Sequence, residues 1–312
     1  MKDLRINESA GMDSATPLTE GAPHLSRQAQ IALNLSIDER LQLVFSDKFV
    51  LHPQARRILG ILKLAIGKPL SERPASFLIV GASGTGKTSL IHRFYRDLGG
   101  DSATRFGASE RMPIVVVEMP PRSTEPRVVL AIARSLRLPV VSERETRKVT
   151  DIILRKLKER GVRMVIFLEF DHLGTIAEQE RQVVFHLLKN ITNEGISVVG
   201  AGSQECVEYV LEDEQLTSRL RPLYLHGFPK DQSLADFVAT LETFYPLPEA
   251  SALWRDHLDL IFARTNGVAG EIVYLLNEAA AWSIRNGHSC IQLDAIVNCD
   301  YIERLAALSP SK

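Results

Sequence analysis

The stretch Gly81-Ala82-Ser83-Gly84-Thr85-Gly86-Lys87-Thr88 constrains this chain more than any other feature. It follows the apolar run Phe77-Leu78-Ile79-Val80 and precedes a segment of helical period. The spacing is Gly-x-x-x-x-Gly-Lys-Thr, which wraps a phosphate. Glycines let backbone N–H groups turn inward and approach phosphate oxygens closely. The N-terminus of the following helix adds partial positive charge. Lys87 supplies a full charge for the β and γ phosphates, and Thr88 offers its hydroxyl to Mg. A Gly-rich turn that only reverses the chain needs no lysine followed by threonine. The expected ATP-binding set is Gly81, Ala82, Ser83, Gly84, Thr85, Gly86, Lys87, Thr88 and Ser89, together with Ser203 further along the chain.

Four apolar runs of strand length, 77–80, 114–117, 164–168 and 196–199, are apolar on both faces. Strands of a parallel sheet read this way when helices cover both sides. Helix-period segments at 87–98, 125–136, 147–160 and 178–193 alternate with them. The pattern predicts a three-layer α/β domain. A fifth run, 223–225, closes the sheet. Ser36 and Glu39 have capping-box spacing at the start of a helix, and a second helix is expected over 52–66. After Phe228 only helices are expected, at 232–243, 250–264, 269–285 and 293–305. The chain therefore divides into a flexible tail (1–34), a core with an N-terminal helical extension (35–228) and a helical lid (229–312).

Composition excludes several classes. Apolar residues are 45% and charged residues 24% of the 312, near the averages for globular proteins. No run approaches ~18 uninterrupted apolar residues, so no membrane partner is expected. The polar N-terminus is not a signal peptide. Cys206, Cys290 and Cys299 lack a CxxC spacing, which argues against a disulfide framework and suits a cytoplasmic location. His172 and His186 have no HExxH or Cys partner and read as ordinary histidines. The net charge of -1 hides an asymmetry. Residues 111–163 hold 13 basic and 6 acidic residues, and 229–312 hold 6 basic and 11 acidic. This is either two solvated helix faces of opposite sign or a nucleic-acid surface on the core.

A phosphate loop of this kind works with an acidic strand tip. The candidate is Met164-Val165-Ile166-Phe167-Leu168-Glu169-Phe170-Asp171. Leu168 stands where a Mg-holding Asp is expected, and leucine cannot coordinate Mg. Three readings follow. Glu169 is the catalytic base at a site with weakened Mg grip; or Glu169 serves Mg while Asp171 polarises water; or ATP binds and is hydrolysed poorly. Intact binding with slow hydrolysis is favoured. After the fourth strand, Ser203 or Gln204 is placed to sense the γ-phosphate, unless Ser203 caps a helix. Arg219, before the fifth strand, is placed to reach a neighbouring subunit's γ-phosphate; otherwise it forms a surface salt bridge with Asp213 or Glu214.

This arrangement resembles an AAA+ ATPase, and more narrowly the TniB family of transposition helpers, relatives of TnsC. The resemblance covers about residues 35–305. It is carried by Phe49-Val50-Leu51-His52-Pro53-Gln54-Ala55-Arg56-Arg57-Ile58-Leu59, by the phosphate loop followed by Arg93-Phe94, by Gly161-Val162-Arg163-Met164-Val165-Ile166, and by Gln215-Leu216-Thr217-Ser218-Arg219. The stretches 265–270 and 279–284 match in style. Two departures stand out: Leu168, and Glu271 where many lids place a sensor arginine. The resemblance implies ATP- and Mg-dependent self-assembly, as rings or filaments, on double-stranded DNA. It also implies recruitment of a transposase and target-selector proteins. Sequence-independent phosphate contacts are expected from Arg122, Ser123, Thr124, Arg127 and Lys148. The alternatives are a P-loop scaffold that binds ATP but no DNA, and a replication-initiator or helicase-loader relative.

The loop yields the first prediction. Lys87→Ala loses nucleotide binding in a fluorescence or calorimetric titration, and unchanged affinity refutes the phosphate-loop assignment.

Overall fold

The computed structural model describes residues 22–68, 73–99, 112–138 and 146–302, the side chains of 146–149 excepted. In chain order the first elements are α1 (Arg27–Ala32), α2 (Ile37–Val44), α3 (Pro53–Gly67), β1 (Ser76–Val80), α4 (Lys87–Asp97), β2 (Ile114–Glu118), α5 (Glu125–Ser135) and α6 (Thr146–Glu159). Then come β3 (Met164–Leu168), a 3-10 helix (Phe170–Thr175), α7 (Glu178–Asn193), β4 (Ser197–Gly202), α8 (Glu205–Leu211), α9 (Glu214–Thr217) and β5 (Leu220–Tyr224). The remainder is helical: α10 (Gln232–Glu242), α11 (Leu253–Asp256), α12 (Leu258–Thr265), α13 (Ala269–Arg285) and α14 (Leu293–Asn298).

Strands apolar on both faces need cover on both faces. The five strands pair in the order β2-β3-β4-β1-β5, every pair parallel. One face carries Phe77, Ile79, Ile166 and Val199 against α3 and α4. The other carries Leu78, Val80, Val165 and Phe167 against α5, α6 and α7. This is the expected three-layer α/β core. The central β1 is buried along its whole length, which puts the loop that follows it at the C-terminal edge of the sheet. β5 begins earlier than the sequence suggests and includes Pro222; as an edge strand it tolerates the missing N–H. β4 runs on through Gly200 and Gly202, where a Cβ would meet Phe170 at 2.9 Å and Cys206 Sγ at 2.3 Å.

The lid forms around its own apolar core, including Phe237, Leu241, Tyr245, Ile272, Leu276 and Ile296. Two expectations about chain division need correction. The tail does not reach residue 34: Ser26 caps α1 and its N–H donates to Thr243 O at 2.8 Å. Nor does the N-terminal helical extension pack only on the core. Val44 of α2 and Val50 belong to the lid's apolar cluster, and Arg40 donates to Pro246 O. The capping box at Ser36 and Glu39 forms as expected, but the amphipathic face behind it had no partner legible in the sequence. The segment after α2 thus crosses from lid to core before α3 begins. The helix expected over 250–264 breaks at His257 into α11 and α12. The one expected over 293–305 ends at Asn298, and its last three residues lie outside the described residues.

Lys189 and Asp213 form a buried ion pair at 2.9 Å, their side chains 8% and 9% exposed. Asp213 also accepts from Leu216 N, capping α9. Removing one member strands the other charge in the interior. Lys189→Ala is expected to lose about 3–5 kcal/mol of stability in urea unfolding; a loss below about 1 kcal/mol contradicts the buried pair.

Candidate nucleotide-binding site

A cleft of about 490 Å³ opens between the C-terminal edge of the sheet and the lid. Its floor is the loop between β1 and α4. Gly81 N donates to Gly202 O at 3.1 Å, fixing the loop's base to β4. A Cβ on Gly81 would lie 2.4 Å from Leu225 O, so only glycine fits. Gly84 and Gly86 take φ of 81° and 95°, left-handed values that glycine adopts freely. Buried Thr85 closes the turn, its hydroxyl donating to Ala82 O at 2.9 Å. Lys87 Nζ donates to Gly81 O at 2.6 Å and Ala82 O at 3.0 Å. Burial pulls the Lys87 pKa down, and the charges of Asp171 and Glu169 oppose that pull. Ser83, Thr88 and Ser89 also line the cleft. The loop is a cradle of amides and one half-buried cation, which fits an anion.

The β3 tip carries the carboxylates. Glu169 adopts φ 53° as the chain turns into the 3-10 helix, an unfavourable conformation for a residue with a Cβ. Its side chain is exposed and lines the cleft. Asp171 is otherwise committed. Its Oδ1 accepts from Ser203 N at 2.9 Å, Ser203 Oγ at 2.5 Å and Cys206 Sγ at 3.2 Å. Burial pushes its carboxyl pKa up, but these bonds and the Lys87 charge outweigh burial and hold it below the usual range. Asp171 is a staple between the tips of β3 and β4, so the reading in which it polarises water loses its footing. Ser203 lines the cleft, and its hydroxyl hydrogen already goes to Asp171. The same oxygen accepts from Glu205 N at 3.3 Å, the helix-cap role.

Leu168 also lines the cleft. Thr88 and Glu169 line the cleft and could hold Mg; a leucine at 168 adds no oxygen where a strand-tip Asp would. Arg219 lies far from this cleft. It precedes β5 at the sheet's opposite edge, where Leu220 pairs with Ser76. A strand of this length separates the two by roughly 16 Å. Its guanidinium donates to Asn193 Oδ1 at 2.9 Å and to Thr192 Oγ1, not to Asp213 or Glu214. Glu271 is buried and accepts from Tyr301 OH at 3.1 Å; no arginine lines the cleft among the described residues.

The five candidate DNA contacts separate. Arg122 and Arg127 are exposed beside the β2 edge. Thr124 precedes α5. Ser123 does not fit: it is fully buried, its hydroxyl donating to Pro120 O at 2.6 Å, so it holds the loop rather than facing a ligand. Lys148 lies in α6, with its side chain outside the described residues. His172 Nδ1–H donates to Met119 O at 2.7 Å, and no cluster of three metal-ligating residues occurs among the described residues.

Sequence reasoning missed the cleft's other walls. One is the lid-to-core segment with Phe45, Lys48 and His52; the other is Phe237, Val273 and Asn277. Lys48 donates to Leu43 O and Ser46 O at 3.2 Å, and burial lowers its pKa to about 8. These walls come from segments more than 180 residues apart, and no local pattern joins them. Gly270 N donates to Gly84 O at 2.8 Å, tying the start of α13 to the phosphate loop.

The family model described as "Bacterial TniB protein" matches residues 40–230, more than half of the chain. Among solved structures, the ADP form of the Aeropyrum pernix ORC2 protein aligns with a TM-score of 0.60 at 16% identity, over 83% of this chain and 73% of that one. The Aeropyrum pernix ORC1 protein in complex with DNA aligns at 0.53 and 19% identity, over 82% and 67%. Drosophila ORC bound to DNA aligns at 0.55 and 18%, over 96% and 70%. No curated protein matches the chain. At these identities the structural likeness shows the fold alone, an AAA+-type P-loop α/β fold.

Strain at Glu169 is testable. Glu169→Gly is expected to raise stability by about 1 kcal/mol in thermal or urea unfolding, because glycine adopts this φ freely. An unchanged or lower midpoint contradicts the strain.

Proposed function

The chain belongs to the bacterial TniB protein family, and on that premise we propose that it is an ATP-binding transposition regulator. It assembles on double-stranded DNA in response to ATP and directs a transposase, together with target-selector proteins, to the insertion site. The observation that carries this reading is Lys87: a half-buried ammonium held by two loop carbonyls in a cleft shared by core and lid. An anion with several oxygens satisfies that cation and the surrounding amides better than the carbonyls do.

Gly81 to Ser89 hold the triphosphate, with Lys87 at its β and γ groups. Mg, when bound, neutralises phosphate charge; Thr88 and Glu169 would hold it. Glu169 is the carboxylate free to orient water, since Asp171 is engaged by Ser203 and Cys206. Leu168 leaves Mg loosely held, so hydrolysis is slow and the bound state is long-lived. Arg219 serves in trans. It is too far from its own loop and sits on an exposed edge from which a neighbour's γ-phosphate is accessible. The bond between Gly270 and Gly84 passes the state of the loop to the lid, and through the lid to the assembly. Arg122, Arg127 and Lys148 contact DNA phosphates without reading bases. No helix among the described residues is long and apolar enough to cross a membrane, and free cysteines suit the reducing cytoplasm in which we place the protein.

Negative-stain imaging with duplex DNA, with and without a slowly hydrolysed ATP analogue, tests this reading. Nucleotide-dependent assemblies on DNA support it, and particles indifferent to both overturn it. Leu168→Asp is expected to increase steady-state hydrolysis severalfold without loss of binding; a variant no faster than the parent contradicts the assigned cause of slow turnover.

A further inference from the structure

We propose that the solvent face of α3 docks on the α14 face of a second copy's lid. The inference rests on the reading that the chain assembles with itself, and adds which two surfaces meet. α3 contains no acidic residue, and its exposed side carries Arg56, Arg57, Lys63 and Lys68. Lys63 pairs with Asp97 of α4 at 2.8 Å, whereas Arg56 and Arg57 make no ion pair among the described residues. Leu64, on the same side, is 70% exposed. Gly60 sits between these groups in mid-helix, and a Cβ there would meet nothing within 4 Å. An interior glycine weakens a helix, and no packing among the described residues accounts for this one. It leaves the backbone open to close approach by another surface.

The lid carries the complement. Leu293 and Val297, one turn apart on α14, are 51% and 56% exposed, and Ile302 is 75% exposed. Asp294 and Asp300 lie among them; the Asp300 side chain is 85% exposed, with Arg285 only at 3.9 Å. One surface is thus basic with an apolar centre, the other apolar with an acidic margin. Both have a place in an assembly completed by Arg219. Lys68 at the end of α3 accepts from Arg163 just before β3, and Arg219 lies at that same N-terminal edge of the sheet. The two surfaces differ, so the contact is head-to-tail and propagates.

Sedimentation of the full chain with a slowly hydrolysed ATP analogue tests the pairing by charge exchange. Arg56→Glu/Arg57→Glu and Asp294→Lys/Asp300→Lys are each expected to need about tenfold more protein to assemble, since each juxtaposes like charges. Mixed in equal amounts, they regain assembly near the wild-type concentration. Gly60→Tyr, which has room to fold, hinders assembly with an unchanged melting temperature. Wild-type assembly with neither reversal having an effect, or a mixture no better than its components, overturns this inference and leaves self-assembly standing. Loss of DNA retention by Arg56→Glu/Arg57→Glu with assembly intact also overturns it, in favour of phosphate contacts. A wild-type chain that never assembles overturns both readings.

Discussion

A lysine ammonium that leaves bulk water needs oxygen partners, and Lys87 donates to the carbonyls of Gly81 and Ala82. Much of the fold is arranged around that fact. β1 is buried along its length and aims the loop at the cleft. β4 holds the loop's base through Gly202, and α13 touches its crest through Gly270. Gly84 and Gly86 take positive φ, which lets the loop curl tightly around its base. Carbonyls satisfy a cation partially; a polyanion satisfies it together with the amides. The loop is therefore poised between its own lysine contacts and a phosphate.

The second constraint is how the carboxylates are divided. Asp171 and Glu169 are close in sequence, but their surroundings assign them different work. Asp171 is drawn into bonds with Ser203 and Cys206 that join two strand tips. Glu169 is left exposed on a strained turn. Leu168, between strand and turn, offers no oxygen to a cation, and this is the ground for the slow turnover proposed above. In the proposed role, slow turnover would keep the protein assembled while partners arrive.

The sheet, the phosphate loop and most core helices were legible because their signals are local. Runs apolar on both faces, the Gly-Lys-Thr spacing and helical periods each lie within a few turns of chain. What was not legible depends on distant segments meeting. The N-terminal helices read as an extension of the core, yet Val44 and Arg40 pack on the lid. Ser123 read as a phosphate contact because it sits in a basic loop, while its burial depends on how that loop folds over Pro120. The alternative reading of Arg219, a surface salt bridge to Asp213 or Glu214, does not form: Lys189 takes the Asp213 carboxylate, and Arg219 donates to Asn193. His52 and Asn277 line one cleft only because the lid folds back over the loop.

The most direct test is a cryo-EM map of the protein with duplex DNA and a slowly hydrolysed ATP analogue. The account predicts that Lys87 Nζ leaves Gly81 O and Ala82 O for the phosphates, with Arg219 of an adjacent copy at the γ-phosphate. A map in which Lys87 keeps its carbonyls, with nucleotide elsewhere or no second copy at the cleft, contradicts it.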